Sequence, residues 1–133
     1  MLKFIKATDV DLIPRRLIEH IEGRRYTVDE FYRVKRLYIS SLSIDLIVNE
    51  ENAIIGFLEY SLDELNKEIY INTLSIDREY QCDGRTLDFV INTFKLLSKK
   101  LNYNVLWHCY RPSYFLRHGF TAVKGSLLHY TCV

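Results

Sequence analysis

The chain has 133 residues, 48% of them apolar and 26% charged, and a formal net charge of +1. That length suits a single domain over 1–133, able to bury about two thirds of its unfolded surface without disulfides or a metal. The composition excludes a disordered tail, and a charge so close to zero gives no whole-molecule field for nucleic acid or an anionic membrane.

Cys82, Cys109 and Cys132 are widely spaced and form no C-x-x-C pair, so neither a zinc knuckle nor a disulfide framework is expected, and the thiols read as cytosolic. The start "MLKFIKATDVDL" has no long apolar core, and no run approaches the roughly 18 apolar residues of a membrane span. A soluble, cytoplasmic protein follows, a monomer or homodimer with no metal, nucleic-acid or membrane partner.

In chain order, "LKFIKA" alternates Leu2 and Phe4 with Lys3 and Lys6, which predicts a first strand with one wet face. Thr8 and Asp11 resemble a helix start, and Ile13, Leu17, Ile18 and Ile21 carry a 3.6-residue period that Pro14 limits. Thr27 with Glu30 forms a capping box, followed by Phe31, Val34, Leu37, Tyr38 and Leu42, read as one buried face. From Ile44 the period becomes that of strands: "IDLIV", "AIIGFLEYSL" and "EIYINTLSID", separated by turns at "NEEN" and near "DELNK".

Helical spacing returns over 86–101 through Leu87, Val90, Ile91, Phe94, Leu97 and Leu101, with Asp88 near the amino end and Lys99 and Lys100 at the other. "NVLWHCY" reads as a buried strand, "PSYFLRH" as a short helix, and "GFTAV" with "LLHYTCV" as a closing hairpin. The order is β-α-α-β-β-β-α-β-α-β-β, an α/β chain with a mixed, mostly antiparallel twisted sheet of about seven strands and helices on both faces. The crossover from "EIYINTLSID" through the long helix to "NVLWHCY" should make those two strands parallel.

Between strand and long helix stands "LSIDREYQCDGRTLDFV", with Gly84 just ahead of the helix. The first turn of a helix leaves about four N–H groups without partners and attracts phosphate. A glycine there keeps a side chain out of the path of an incoming anion; a simple turn glycine is the plain alternative. The element order and this stretch resemble the GNAT superfamily of acetyl-CoA-dependent N-acetyltransferases, whose phosphate-loop signature is Gln or Arg, two residues, Gly, one residue, then Gly or Ala. Here it reads Gln81, Cys82, Asp83, Gly84, Arg85, Thr86, departing at Thr86, and "YFLRHGF" is similar to a second family segment that ends on the Gly-Phe pair at Gly119 and Phe120.

The resemblance implies acetyl-CoA as cofactor, bound where two strands splay apart. It implies that backbone groups of Leu74, Ser75 and Ile76 pair with the pantetheine as an added strand would. N–H groups from Gln81 through Cys82, Asp83, Gly84 and Arg85 to Thr86 would hold the diphosphate, with Arg85 adding charge. Asp83 stands where the family commonly has a basic residue. The implied activity is direct acetyl transfer from the thioester to an amine of unknown identity; the alternative is a catalytically degenerate CoA-binding or regulatory module on the same fold.

Such transfer needs a neutral amine, a stabilised oxyanion and a proton for the departing thiolate. The family's usual tyrosine donor falls at Phe115, which cannot donate, and the resemblance implies that it lines the cofactor site. Tyr114, about 100° away around a helix, and Tyr110 are the candidate donors. Glu59 and Glu68 are candidate bases, whereas His108 reads as a core histidine and Cys109 has no partner specified by spacing. Basic residues gather over 15–36, including Arg15, Arg16, Arg24, Arg25, Arg33, Lys35 and Arg36, which fits an acidic acceptor or simply a solvated helix face.

Overall fold

A computed structural model describes residues 1–21, 24–81, 84–108, 119–124 and 127–130. These fall into two compact units, Met1–Glu59 with Thr73–Thr86, and Tyr60–Asn72 with Leu87–Val133. Two strands, β3 (Ile54–Asp63) and β4 (Glu68–Ile76), pass through both.

In the first unit β1 (Lys3–Lys6) pairs antiparallel with β2 (Ser43–Val48), from Lys3↔Val48 to Lys6↔Asp45, and the strands neighbour one another in the order β1-β2-β3-β4. The turn from β2 to β3 is fixed by Asn49, whose Oδ1 accepts from the N–H groups of Glu51 and Ala53 at 3.0 Å each. Asn52 takes the left-handed conformation that asparagine tolerates, with φ 63°.

The expected first helix is broken in two. Asp9, not Thr8, caps a 3-10 turn at Val10–Leu12 by accepting from Asp11 N–H, and α1 (Arg15–Glu19) starts afresh after Pro14. A proline cannot continue a helix beyond its first turn, so the 3.6-residue period of Ile13, Leu17 and Ile18 spans two elements. The second helix, α2 (Val28–Tyr38), begins as predicted: Thr27 Oγ1 accepts from Glu30 N–H at 3.1 Å and donates to Glu30 Oε1 at 3.2 Å.

Phe31 is buried as expected and Leu42 packs partly on the core, but the rest of the expected face is not buried. Val34, Leu37 and Tyr38 are exposed, at 45%, 75% and 56%, while Phe31 and Tyr32 are buried, at 2% and 8%. Val28 packs partly on the same core, which unites Ile13, Leu17, Ile18, Phe31, Tyr32, Ile44 and Phe57. The Tyr32 hydroxyl donates to the carbonyl of Ile13, a polar anchor that lets a tyrosine be buried and that apolar counting does not see.

In the second unit α3 (Arg85–Leu101) connects β4 to β5 (Asn104–His108), and the two strands are parallel, from Glu68↔Asn104 to Ile71↔Trp107. β4 itself continues beyond that ladder to Ile76. β5 pairs antiparallel with β7 (Leu127–Tyr130), and β7 with β6 (Thr121–Lys124), giving the order β3-β4-β5-β7-β6. Edge-to-face aromatic contacts run Tyr60–Phe94–Trp107–Phe120, with centroids 5.5, 6.2 and 6.1 Å apart. The helix expected over "PSYFLRH" lies outside the described residues.

Candidate functional site

The first unit holds the end of β4, the loop that follows and the opening of α3. Arg16, on α1, donates from Nε to Asp77 Oδ2 at 2.7 Å and from Nη2 to Ile54 O at 2.9 Å, tying that helix to the starting end of β3 and the residue after β4. Ser75 Oγ donates to Leu17 O beside it. Asp77 N–H donates to Ile55 O at 2.7 Å, so the two strands stay paired beyond the end of β4.

β3 comes unusually close to β4 at Gly56, where a β-carbon would stand 2.7 Å from Ser75 O and 3.2 Å from Ile47 Cδ1. Only glycine fits there without moving backbone. The contact falls in the stretch Leu74–Ile76, whose backbone the family resemblance implies would pair with the pantetheine.

After β4 the chain makes a 3-10 turn, Arg78–Tyr80, and Gln81 folds back so that Nε2 donates to Ile76 O at 2.7 Å. The first residue of the loop signature is thus a latch between the loop and the strand end. Tyr80 OH accepts from Asn49 Nδ2 at 3.3 Å, which ties the loop to the β2–β3 turn. Cys82 and Asp83 lie outside the described residues. Gly84 has φ 72°, a left-handed conformation that a β-carbon disfavours, immediately ahead of the 17-residue α3.

Arg85 opens α3 and forms an ion pair with Glu50 on the β2–β3 turn. The Met1 ammonium, 2.8 Å from the same carboxylate, and Arg85 together pull Glu50 down from 4.5 to about 2, the ammonium contributing most. Thr86, where the family signature has Gly or Ala, is 1% exposed, so its side chain packs inward rather than toward solvent.

Glu59 lies farther along β3, in the same unit. With Asp77 paired to Ile55, counting along the antiparallel strands brings Glu59 level with Thr73. The residue is only 7% exposed, and Lys35 Nζ stands 2.7 Å from its Oε1 but off the hydrogen-bond direction, so the contact is coulombic. Phe31 covers the lysine, with its centroid 5.7 Å from Nζ. Tyr26 lies close by: burial first and the charge of Glu59 second raise its hydroxyl above the ordinary tyrosine value.

Tyr26 was not singled out by sequence reasoning, and Lys35 was named only within the basic cluster over 15–36, not as a partner of Glu59. A signal existed for the lysine, which follows Phe31 by one helical turn on α2. Glu68, the other candidate base, belongs to the second unit, where its Oε1 accepts from Tyr70 OH at 3.4 Å. Tyr110, Tyr114, Phe115 and Cys109 lie outside the described residues. The basic cluster on the first helices is partly neutralised: Arg15 pairs with Asp29 at 3.0 Å and Arg36 with Asp11 at 2.7 Å, around an open depression lined also by Tyr32. Among the described residues no group of three or more His, Cys, Asp or Glu is placed to hold a metal, and no helix is long and apolar enough to cross a membrane.

The fold is similar to that of solved acetyltransferases of the GNAT family. A GNAT acetyltransferase from Elizabethkingia anophelis with acetyl-CoA bound aligns with a TM-score of 0.66 at 16% identity, covering 92% of this chain and 78% of that one. A PaiA N-acetyltransferase from Thermoplasma acidophilum in complex with coenzyme A gives 0.68 at 15% identity, covering 98% and 99%. A chimera of the Vibrio cholerae spermidine N-acetyltransferase SpeG gives 0.71 at 14% identity, covering 98% and 95%. No protein-family model matches the sequence, and no curated protein matches it.

Proposed function

We propose that this chain, 1–133, is one acetyltransferase domain that moves an acetyl group directly from acetyl-CoA to an amine. The observation that carries the reading is Gly84, at φ 72°, turning the chain from the end of β4 into the amino end of α3. It is supported by the likeness to folds solved with acetyl-CoA or coenzyme A bound.

The residues fit such a group. Leu74, Ser75 and Ile76 would hold the pantetheine along β4, and N–H groups of the loop from Gln81 to Thr86, other than that of Gln81, which donates to Arg78 O at 3.3 Å, would hold the diphosphate at the positive end of the helix. Arg85 serves the phosphates once it exchanges Glu50 for them. Acetyl-CoA supplies the activated acyl group. Glu59 takes the proton of the acceptor amine, backbone N–H near Ile76 steadies the developing oxyanion, and Tyr114 or Tyr110 returns a proton to the thiolate.

Acetyl-CoA at 100 times its dissociation constant should raise the unfolding free energy by about 2.7 kcal/mol. No melting shift at millimolar acetyl-CoA would remove the reading. A thiol-release assay with a panel of amines then separates turnover from binding alone. The non-catalytic alternative draws on Phe115, a phenylalanine at the family's donor position. That module would show the melting shift without thiol release.

A further inference from the structure

The Glu59 carboxylate already has a primary amine beside it. Lys35 Nζ is 2.7 Å from Oε1, at the distance of about 2.6–3.2 Å that a general base needs, and the alignment, off the hydrogen-bond direction here, has only to tighten when acetyl-CoA binds. The position is enclosed: the side chains of Lys35 and Glu59 are 20% and 9% exposed, and the Phe31 ring lies over the ammonium. Counting back from the Asp77–Ile55 bond, Glu59 is level with Thr73, one residue before the stretch assigned to the pantetheine. Few surface lysines are held this way; most reach into water, where their flexible stems keep no fixed partner.

We propose that Lys35 is an internal acetyl acceptor, modified in cis by the same chain that binds acetyl-CoA. The inference rests on the acetyl-CoA reading above. Glu59 takes a proton from the Lys35 ammonium, and the freed lone pair forms a bond to the thioester carbonyl carbon. The carbon–sulfur bond breaks and coenzyme A departs as its thiolate. Nζ loses two protons in all: one ends on the thiolate and the other passes through Glu59 to solvent. The products are acetylated Lys35, coenzyme A as free thiol, and one proton. Acetylation removes the lysine's charge and with it the ion pair to Glu59.

The test incubates the whole chain with acetyl-CoA and follows each lysine by peptide mass spectrometry, with melting temperature read in the same samples. Lys35 should gain the acetyl group about a hundredfold faster than the exposed Lys99 and Lys100. Chemical acetylation follows exposure and gives the reverse order, which would overturn the proposal. Glu59→Gln should slow labelling of Lys35 by about a hundredfold and leave the acetyl-CoA melting shift in place; unchanged labelling overturns it. Lys35→Arg keeps the charge and should abolish the fast modification. The rate per chain should not depend on protein concentration, and a proportional rise would make the transfer intermolecular and defeat the cis assignment. An unmodified Lys35 together with a clear melting shift would overturn this proposal and leave the acetyl-CoA reading standing, whereas no shift removes both.

Discussion

The Gln81 side chain donates to the backbone carbonyl of Ile76 across 2.7 Å, closing the loop that leads to α3 onto the end of β4. One hydrogen bond therefore couples the strand assigned to the pantetheine with the loop assigned to the diphosphate. Gln81→Ala should cost about 1 kcal/mol of stability and weaken acetyl-CoA more than that change alone predicts, because both halves of the site lose register. Calorimetric titration of the variant checks this, and an unchanged dissociation constant would reduce the latch to a local structural contact.

At Gly84 the backbone conformation itself is at issue. Gly84→Ala should destabilise by about 1 kcal/mol, since φ 72° is unfavourable for a residue with a β-carbon. Gly84→Glu should in addition eliminate the acetyl-CoA melting shift by placing a charge at the helix entrance. Urea denaturation measures the first effect and thermal shift the second; retained cofactor binding in the glutamate variant means the diphosphate lies elsewhere.

Gly56→Ala drives a methyl group to within 2.7 Å of Ser75 O. Relieving that contact requires β3 and β4 to move apart, at a cost of about 1–3 kcal/mol. Since the movement falls in the Leu74–Ile76 stretch, cofactor affinity should drop with stability. A variant as stable as the parent would show that the strands yield there without strain.

Lys35→Ala strips a buried carboxylate of its partner and should destabilise by about 3 kcal/mol. Pairing Lys35→Met with Glu59→Leu should restore most of that loss, because neither charge then remains to be solvated. A double variant no more stable than the single one would indicate that the cost came from packing around Phe31 rather than from the unpaired charge.

The Glu50 carboxylate titrates near 2 in the folded chain, below its ordinary 4.5. A depressed carboxylate stabilises the fold above its unfolded value and loses that contribution as pH falls through the folded one. The melting difference between parent and Glu50→Gln should therefore be at its full value just above pH 4.5 and vanish as pH falls toward about 2. Glu50 is exposed, so the difference should be small and should shrink in high salt. A difference independent of pH would locate the effect outside the ion pairs to Met1 and Arg85.

Local signals carried much of the architecture. The Thr27–Glu30 capping box, the two-residue period of β2 to β4, and the helix from Arg85 to Leu101 depend on neighbours within a few residues, and each was legible. The parallel relation of β4 and β5 was legible as well, because a helical crossover permits little else. So was Gly84, a glycine between a strand and a long helix.

Tertiary structure decided what depends on residues far apart in the chain. Periodicity favoured Phe31, Val34, Leu37 and Tyr38 as the inner face of α2; Phe31 is buried, but the other inward places go to Tyr32, which reaches the Ile13 carbonyl, and Lys35, which reaches Glu59. The close approach at Gly56, the Gln81 latch and the Glu50–Arg85 pair likewise follow from strand register and loop placement. A sequence repeats its apolar pattern over one or two turns and fixes elements on that scale. Which of two adjacent faces is buried, and which charge meets which, is settled only when separate elements pack and each buried polar group must find its partner.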